Sequence, residues 1–313
     1  MSSGSLWSPV MRAFRVPSAL VRLGARLTGR RALNPGLPWD VQRRRLDRLA
    51  TIWPLLGRPP ATRITLNGIQ AEVVTASDGA GVTVVHFHGG GFCVGSPAES
   101  RDWAAHVSAQ AGCRVILPDY RLAPEHPYPA ALDDARAALG AVLAEEAPGT
   151  VIVSGDSAGG GLALILAQDE VAARDKPRLA GCMLMSPWVD LTADWAADPE
   201  LVRRDVVLSP AWLEACAGAY ARDADRAQPT ISPLYGDLAG LPPLLIQCGA
   251  DDLVAPGADR LAARARAAGV DVTSSPWPRL WHNFPLQPGL ISAADTAVAQ
   301  TASFIARVCA AGG

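Results

Sequence analysis

Ser157 stands in Gly155-Asp156-Ser157-Ala158-Gly159, with the apolar run Thr150 to Ser154 before it and an apolar helical stretch after it. A serine on a tight strand-to-helix turn needs small residues two before and two after, because the chain nearly touches itself there, and Gly155 and Gly159 meet that need. The same turn puts the backbone N–H of Ala158 at a helix N-terminus, facing any negative charge that develops beside the hydroxyl. The chemistry served is nucleophilic attack by Ser157 on a carbonyl. Asp156 adjoins the serine, points elsewhere on such a turn and is read as structural support.

An attacked carbonyl also needs donors for its oxygen. Residues 82–87 read as a strand running into His88-Gly89-Gly90-Gly91-Phe92, upstream of the serine. Successive glycines let backbone approach a substrate closely and let amide hydrogens point one way. Gly89 and Gly90 are the expected donors, with Ala158 the third, and His88 braces the loop. Glycine-rich turns after strands also bind phosphate, but neither the P-loop pattern nor the dinucleotide glycine fingerprint occurs here and no lysine follows.

Among the five histidines, His86 falls in a strand, His88 in the glycine loop, His106 in a helix and His126 in a proline-rich turn, all before the serine. Only His282, in Trp281-His282-Asn283-Phe284, follows Ser157, as the order serine, acid, histidine requires of a base in this class of α/β protein. Residues 243–248 read as a strand, and Asp251 and Asp252 follow its carboxyl end. Position admits either as the acid that orients His282; Asp190, after the preceding strand, is a more distant third.

The elements that must hold these residues follow from periodicity. Residues 62–66 and 69–75 flank an Asn67-Gly68 hairpin signal. Further strands are expected at 82–87, 114–117, 150–154, 180–185, 243–248 and 270–275, with helices near 99–111, 128–146, 158–173, 257–268 and 291–308. An antiparallel start followed by β-α alternation predicts a mixed, mainly parallel eight-stranded sheet covered by helices on both faces. Residues 190–235 break the alternation and read as an insertion over the sheet's carboxyl edge, where open α/β sheets bind ligands. Residues 1–39 carry six arginines and no acid, with Val16, Leu20, Leu23 and Leu27 at helical spacing. That segment reads as a helix packed on the body or, alternatively, as a peripheral membrane contact through residues 12–31. A second basic helix over 40–56 is expected to stop at Pro54 and the Gly57 to Pro60 cluster.

The whole pattern resembles the hormone-sensitive-lipase-like esterases of the α/β-hydrolase superfamily, the bacterial carboxylesterases with a His-Gly-Gly-Gly loop. It rests on His88 to Phe92, Asp119 to Pro127, Gly155 to Gly160, Ser186-Pro187-Trp188-Val189-Asp190-Leu191, and the Asp251 and His282 segments. The resemblance implies an α/β-hydrolase fold with a helical cap built from residues 1–55 and 190–235, a catalytic domain over 56–189 and 236–313, and no cofactor or metal. It implies Asp251 as the catalytic acid, short- to medium-chain acyl esters as substrates, and dimerisation through the last strand or helix. Two departures stand out: the family usually has proline where this chain has Asp252, and often glycine where it has Asn283. Phe92, Trp188, Leu191, Trp212 and Trp281 are expected to bind the apolar part of the substrate. Lactones, acetyl esters and amides suit the same triad. A ligand-binding protein on the same scaffold is the rival of another class, opposed by the presence of His282.

With 49% hydrophobic and 19% charged residues and a net charge of −2, the composition has no basic field for nucleic acid. The six cysteines form no Cys-x-x-Cys pair and read as buried thiols. No apolar run reaches membrane-spanning length, and arginines interrupt any secretory signal, so cytoplasmic residence is expected.

Overall fold

The computed structural model describes residues 16–52, 60–76, 81–173 and 178–310. Among them, eight strands form one sheet: β1 (Thr62–Leu66), β2 (Ile69–Thr75), β3 (Thr83–Phe87), β4 (Arg114–Pro118), β5 (Val151–Asp156), β6 (Leu179–Met185), β7 (Leu244–Gly249) and β8 (Val272–Trp277). They lie in the order β1-β2-β4-β3-β5-β6-β7-β8. β2 runs antiparallel to β1 and β4, and the other neighbours are parallel. Asn67 and Gly68, both at positive φ, close the β1–β2 hairpin as expected.

The central strands are buried on both faces, and their side chains divide by period two. Val84, Ile152, Met183 and Leu245 join one core with Trp103 and Val107 of α3 (Arg101–Ala111). Val298, Phe304 and Ile305 from α9 (Ser292–Ala310) complete that core. Val85, Val153, Leu184 and Ile246 join the other core, under α4 (Ala130–Glu145), α5 (Ala158–Ala173) and α8 (Ala255–Ala267). Burial on both faces explains why these strands read as continuous apolar runs. α5 is buried along its whole first half, which is why it shows no polar stripe.

Before β1 lie α1 (Ser18–Ala32) and α2 (Trp39–Ile52), and between β6 and β7 lie α6 (Pro199–Arg204) and α7 (Pro210–Ala221). These two parts of the chain are bonded to each other. Arg22 donates to the Arg204 carbonyl at 2.6 Å, Arg30 to the carbonyls of Val202 and Asp205 at 3.1 and 2.6 Å, and the buried Trp212 Nε1 to Gln42 Oε1 at 2.9 Å. The face of α1 differs from expectation: Val21 and Ala25 pack inward, whereas Leu20, Leu23 and Leu27 are exposed. The expected stop of the second helix at Pro54 and Gly57, and residues 12–15, lie outside the described residues. No helix among the described residues is long and apolar enough to cross a membrane.

Candidate active site

Ser157 follows β5 directly and precedes α5, at φ +53°, a backbone state that a non-glycine residue adopts only when its surroundings hold it there. The expected crowding is present: a Cβ on Gly155 would lie 2.1 Å from the Gly159 carbonyl oxygen, and one on Gly159 would lie 2.0 Å from that of Phe87. The Ser157 N–H donates to the Met185 carbonyl of β6 and its carbonyl accepts from Trp188, both at 2.9 Å. The turn is thus tied to the neighbouring strand rather than left to its own conformation.

His282 lies on the loop between β8 and α9, buried, and its Nδ1 faces both carboxylate oxygens of Asp252 at 3.0 Å each. Asp252 is fully buried. The expectation of Asp251 is therefore corrected. Asp251 Oδ2 pairs with Arg22 at 2.8 Å and Oδ1 with Arg204 at 3.1 Å, so this carboxylate ties α1 and α6 to the loop after β7. Adjacent side chains on a turn diverge, and here the second acid turns inward. Asp190, the third candidate, accepts from Arg260 at 2.9 Å and from Tyr235 and Thr192. The His282 pKa is raised: burial alone would lower it, but Asp252, with Asp205 and Asp156 beyond it, favours the imidazolium more strongly. Asp205 was not singled out from sequence. It is buried, accepts from the N–H groups of Val207, Leu208 and Leu253, and is pushed up to about 6 by burial and by Asp252.

The glycine loop is braced more heavily than sequence implies. Buried His88, its pKa lowered by burial, donates from Nδ1 to the Gly89 carbonyl at 2.8 Å and stacks on Tyr120, whose hydroxyl donates to the His88 carbonyl at 2.7 Å. Arg43 of α2 donates to the carbonyls of Cys93 and Ala123, each at 2.8 Å. The Asp119 to Pro127 segment is thereby explained as a buttress of this loop. One expected donor is corrected: the Gly89 N–H donates to Asp156 Oδ1 at 3.0 Å and is not open to a substrate. Among the described residues no acceptor takes the N–H of Gly90, Gly91 or Ala158. Gly90, at φ +110°, has no room for a Cβ, which would lie 2.0 Å from the Val94 carbonyl oxygen. Asp156 does more than adjoin the serine: it also faces His86 at 3.2 Å and accepts from Asn283 Nδ2.

A cavity of about 250 Å³ joins these groups, lined by Gly90, Asp156, Ser157 and His282 on one side and by Ala25, Gly29, Leu33, Leu46 and Leu49 of the N-terminal segment on the other. Of the five expected substrate-binding residues, Trp212 lines it. The other four are corrected: Phe92 stacks on Tyr220 at 3.8 Å between centroids, Trp188 and Leu191 are buried in the larger core, and Trp281 packs beside Leu280 and Val21. The rest of the apolar lining comes from Ala25, Leu33, Leu46 and Leu49 on the N-terminal side and from Val207, Leu208 and Leu286, none of which carried a chemical signature in sequence. No cluster of His, Cys, Asp and Glu among the described residues is placed to hold a metal ion.

Residues 84–286 match the sequence model of a family with the alpha/beta hydrolase fold. An acetyl-hydrolase of Streptomyces hygroscopicus is 38% identical over 78% of this chain and 82% of its own. An esterase of Acinetobacter venetianus is 34% identical over 83% and 86%. Among solved structures, a hormone-sensitive lipase from a metagenome library superposes with a TM-score of 0.85 at 32% identity, covering 94% of this chain and 99% of that one.

Proposed function

Because the chain belongs to the α/β-hydrolase family, in its hormone-sensitive-lipase-like group, it is a carboxylic ester hydrolase, and we propose that Ser157, His282 and Asp252 carry out the hydrolysis through an acyl-enzyme. Ser157 Oγ attacks the ester carbonyl while His282 Nε2 takes its proton, and Asp252 holds Nδ1–H and stabilises the imidazolium. The carbonyl oxygen, now negative, is received by the N–H groups of Gly90, Gly91 and Ala158. Collapse breaks the bond to the alcohol oxygen, which takes the proton from His282. Water then attacks the acyl carbon with His282 again as base, and Ser157 leaves with its proton restored.

The observation that carries this reading is the Asp252 carboxylate on His282 Nδ1, at 3.0 Å from both oxygens, in a histidine that shares a cavity with a serine held at positive φ. Two chain segments cover that cavity, and we take α1 and α2 together with residues 190–235 as its cap. A largely aliphatic wall and a volume of about 250 Å³ support short- to medium-chain acyl groups. The name of the Streptomyces relative favours acetyl as one of them. Six free cysteines support cytoplasmic residence. The test is kcat/KM on p-nitrophenyl esters from acetate to laurate, with lactones and anilides beside them. We expect a maximum at short to medium chains and loss of turnover in Ser157→Ala; turnover retained by that variant refutes the assignment.

A further inference from the structure

Among the described residues, one wall of the cavity carries buried acceptors without donors. Glu99, at the end of the short turn Pro97–Glu99 that follows the glycine loop, lines the cavity with its Oε1 shut off from solvent and unbonded. Asn283 Oδ1 is in the same condition, and because Asn283 Nδ2 donates to Asp156 the free atom is the oxygen. Gln287, one helical turn along, adds a third such oxygen to the same lining. Buried polar atoms in folded proteins are almost always bonded, and the few left unmet call for an explanation. Three unmet acceptors at one cavity beside a nucleophile are completed by a ligand that brings donors.

Charge narrows the kind of donor. Asp102 and Asp156 line the cavity with Glu99, and the charge of Asp47 in α2 also acts on Glu99. The arginine in the wall, Arg101, is turned to Glu72 with two contacts and is neutralised there. The Glu99 carboxyl is pushed up to about 8, first by burial and then by Asp156 and Asp47, against a weaker opposing pull from the Ser96 backbone N–H. Below about pH 8 Glu99 therefore keeps its proton in the free protein, and a cation arriving beside the unmet acceptors lets that proton go and leaves a carboxylate to face it. A primary ammonium offers three N–H donors and a positive charge, and meets both conditions at once.

On the reading that this cavity is the ester site, we propose that Glu99, Asn283 and Gln287 form an ammonium subsite, so that the preferred esters carry a protonated amine on their alcohol or acyl part. A neutral alkyl group of equal size leaves the same acceptors unpaired, and a site built to bond a substrate N–H discriminates strongly against the analogue that lacks it.

The test compares matched pairs that differ only in NH₃⁺ against CH₃: ω-aminoalkyl acetates of four to six carbons against n-alkyl acetates, and ethyl ω-aminoalkanoates against ethyl alkanoates. In at least one series the ammonium member is expected to exceed its isostere in kcat/KM by about tenfold or more, and Glu99→Gln to bring that ratio to about two or less. A ratio near unity in both series, or one that the variant keeps, overturns the subsite. ω-Hydroxyalkyl acetates that match the ammonium esters overturn its cationic character. Should Glu99→Gln fail to fold, calorimetry on the wild-type protein decides: hexylammonium is expected to bind about tenfold or more tightly than 1-hexanol, and equal binding overturns the proposal. Calorimetry needs no turnover, so absence of hydrolysis of every ester would count against the esterase assignment and leave the ammonium subsite to be judged on binding.

Discussion

One peptide bond separates Asp251, held between Arg22 and Arg204, from Asp252, which meets His282 out of reach of solvent. The two carboxylates make opposite predictions. Replacing Asp252 by Asn removes the acceptor that sets the His282 tautomer, and kcat is expected to fall by about 10³- to 10⁴-fold on p-nitrophenyl butyrate. Replacing Asp251 by Asn loosens partly exposed ion pairs between helices and should cost kcat less than about tenfold, since such pairs contribute little individually. Equal losses in the two variants would contradict the division. The Gly89 N–H makes the same point: a glycine in the right loop is withdrawn from oxyanion duty by a carboxylate, Asp156, that sits 67 residues further on. Such partners are set by the fold, and neither was legible in the local sequence.

At the scale of elements, α1 docks on the body through a face other than its leucine row. Val16, Leu20, Leu23 and Leu27 form the more hydrophobic row, yet the helix docks through Val21 and Ala25 and leaves three of those leucines exposed. Arginines decide the orientation. Arg22 and Arg30 bond to the carbonyls of Arg204, Val202, Asp205 and Arg279, so the docked face is the one whose arginines reach these partners. The bond from Trp212 to Gln42 is a second seam between the N-terminal helices and α7, with both residues buried. Gln42→Leu leaves the indole N–H unpaired, which costs about 1–3 kcal/mol. The melting temperature, followed by circular dichroism, is expected to drop by about 2–6 °C. An unchanged melting temperature would show that the seam contributes nothing.

For the whole molecule, the sheet was legible because its central strands are buried on both faces and flanked by turns. All eight expected strands are present, and those from 82–87 to 270–275 begin or end within two residues of the observed bounds. Ser157 and His282 were legible for a similar reason: turn sterics and chain order are local or one-dimensional facts. The cavity wall was not, because α2, which carries Leu46 and Leu49, and the turn Pro97–Glu99 are separate elements that only the closed fold brings against the serine. Electrostatics of the assembled site carry a further prediction. The raised His282 pKa places the acid limb of kcat/KM above the ordinary histidine value near 6.5, since the base must be neutral. The same shift has the opposite sign for stability. His282 contributes stability in full below its unfolded value and loses it as pH rises through the raised folded value, so the protein gains activity where it gives up that contribution. A pH–rate profile with its acid limb well below 6 would refute the shift.

The central claim is that Ser157 is the group that becomes acylated. Incubation with a fluorophosphonate, followed by intact-mass and peptide mass spectrometry, tests it most directly. A single adduct is expected on the peptide carrying Ser157, absent in Ser157→Ala and formed far more slowly in Asp252→Asn than in Asp251→Asn. An unmodified protein, or an adduct on any other residue, would contradict it.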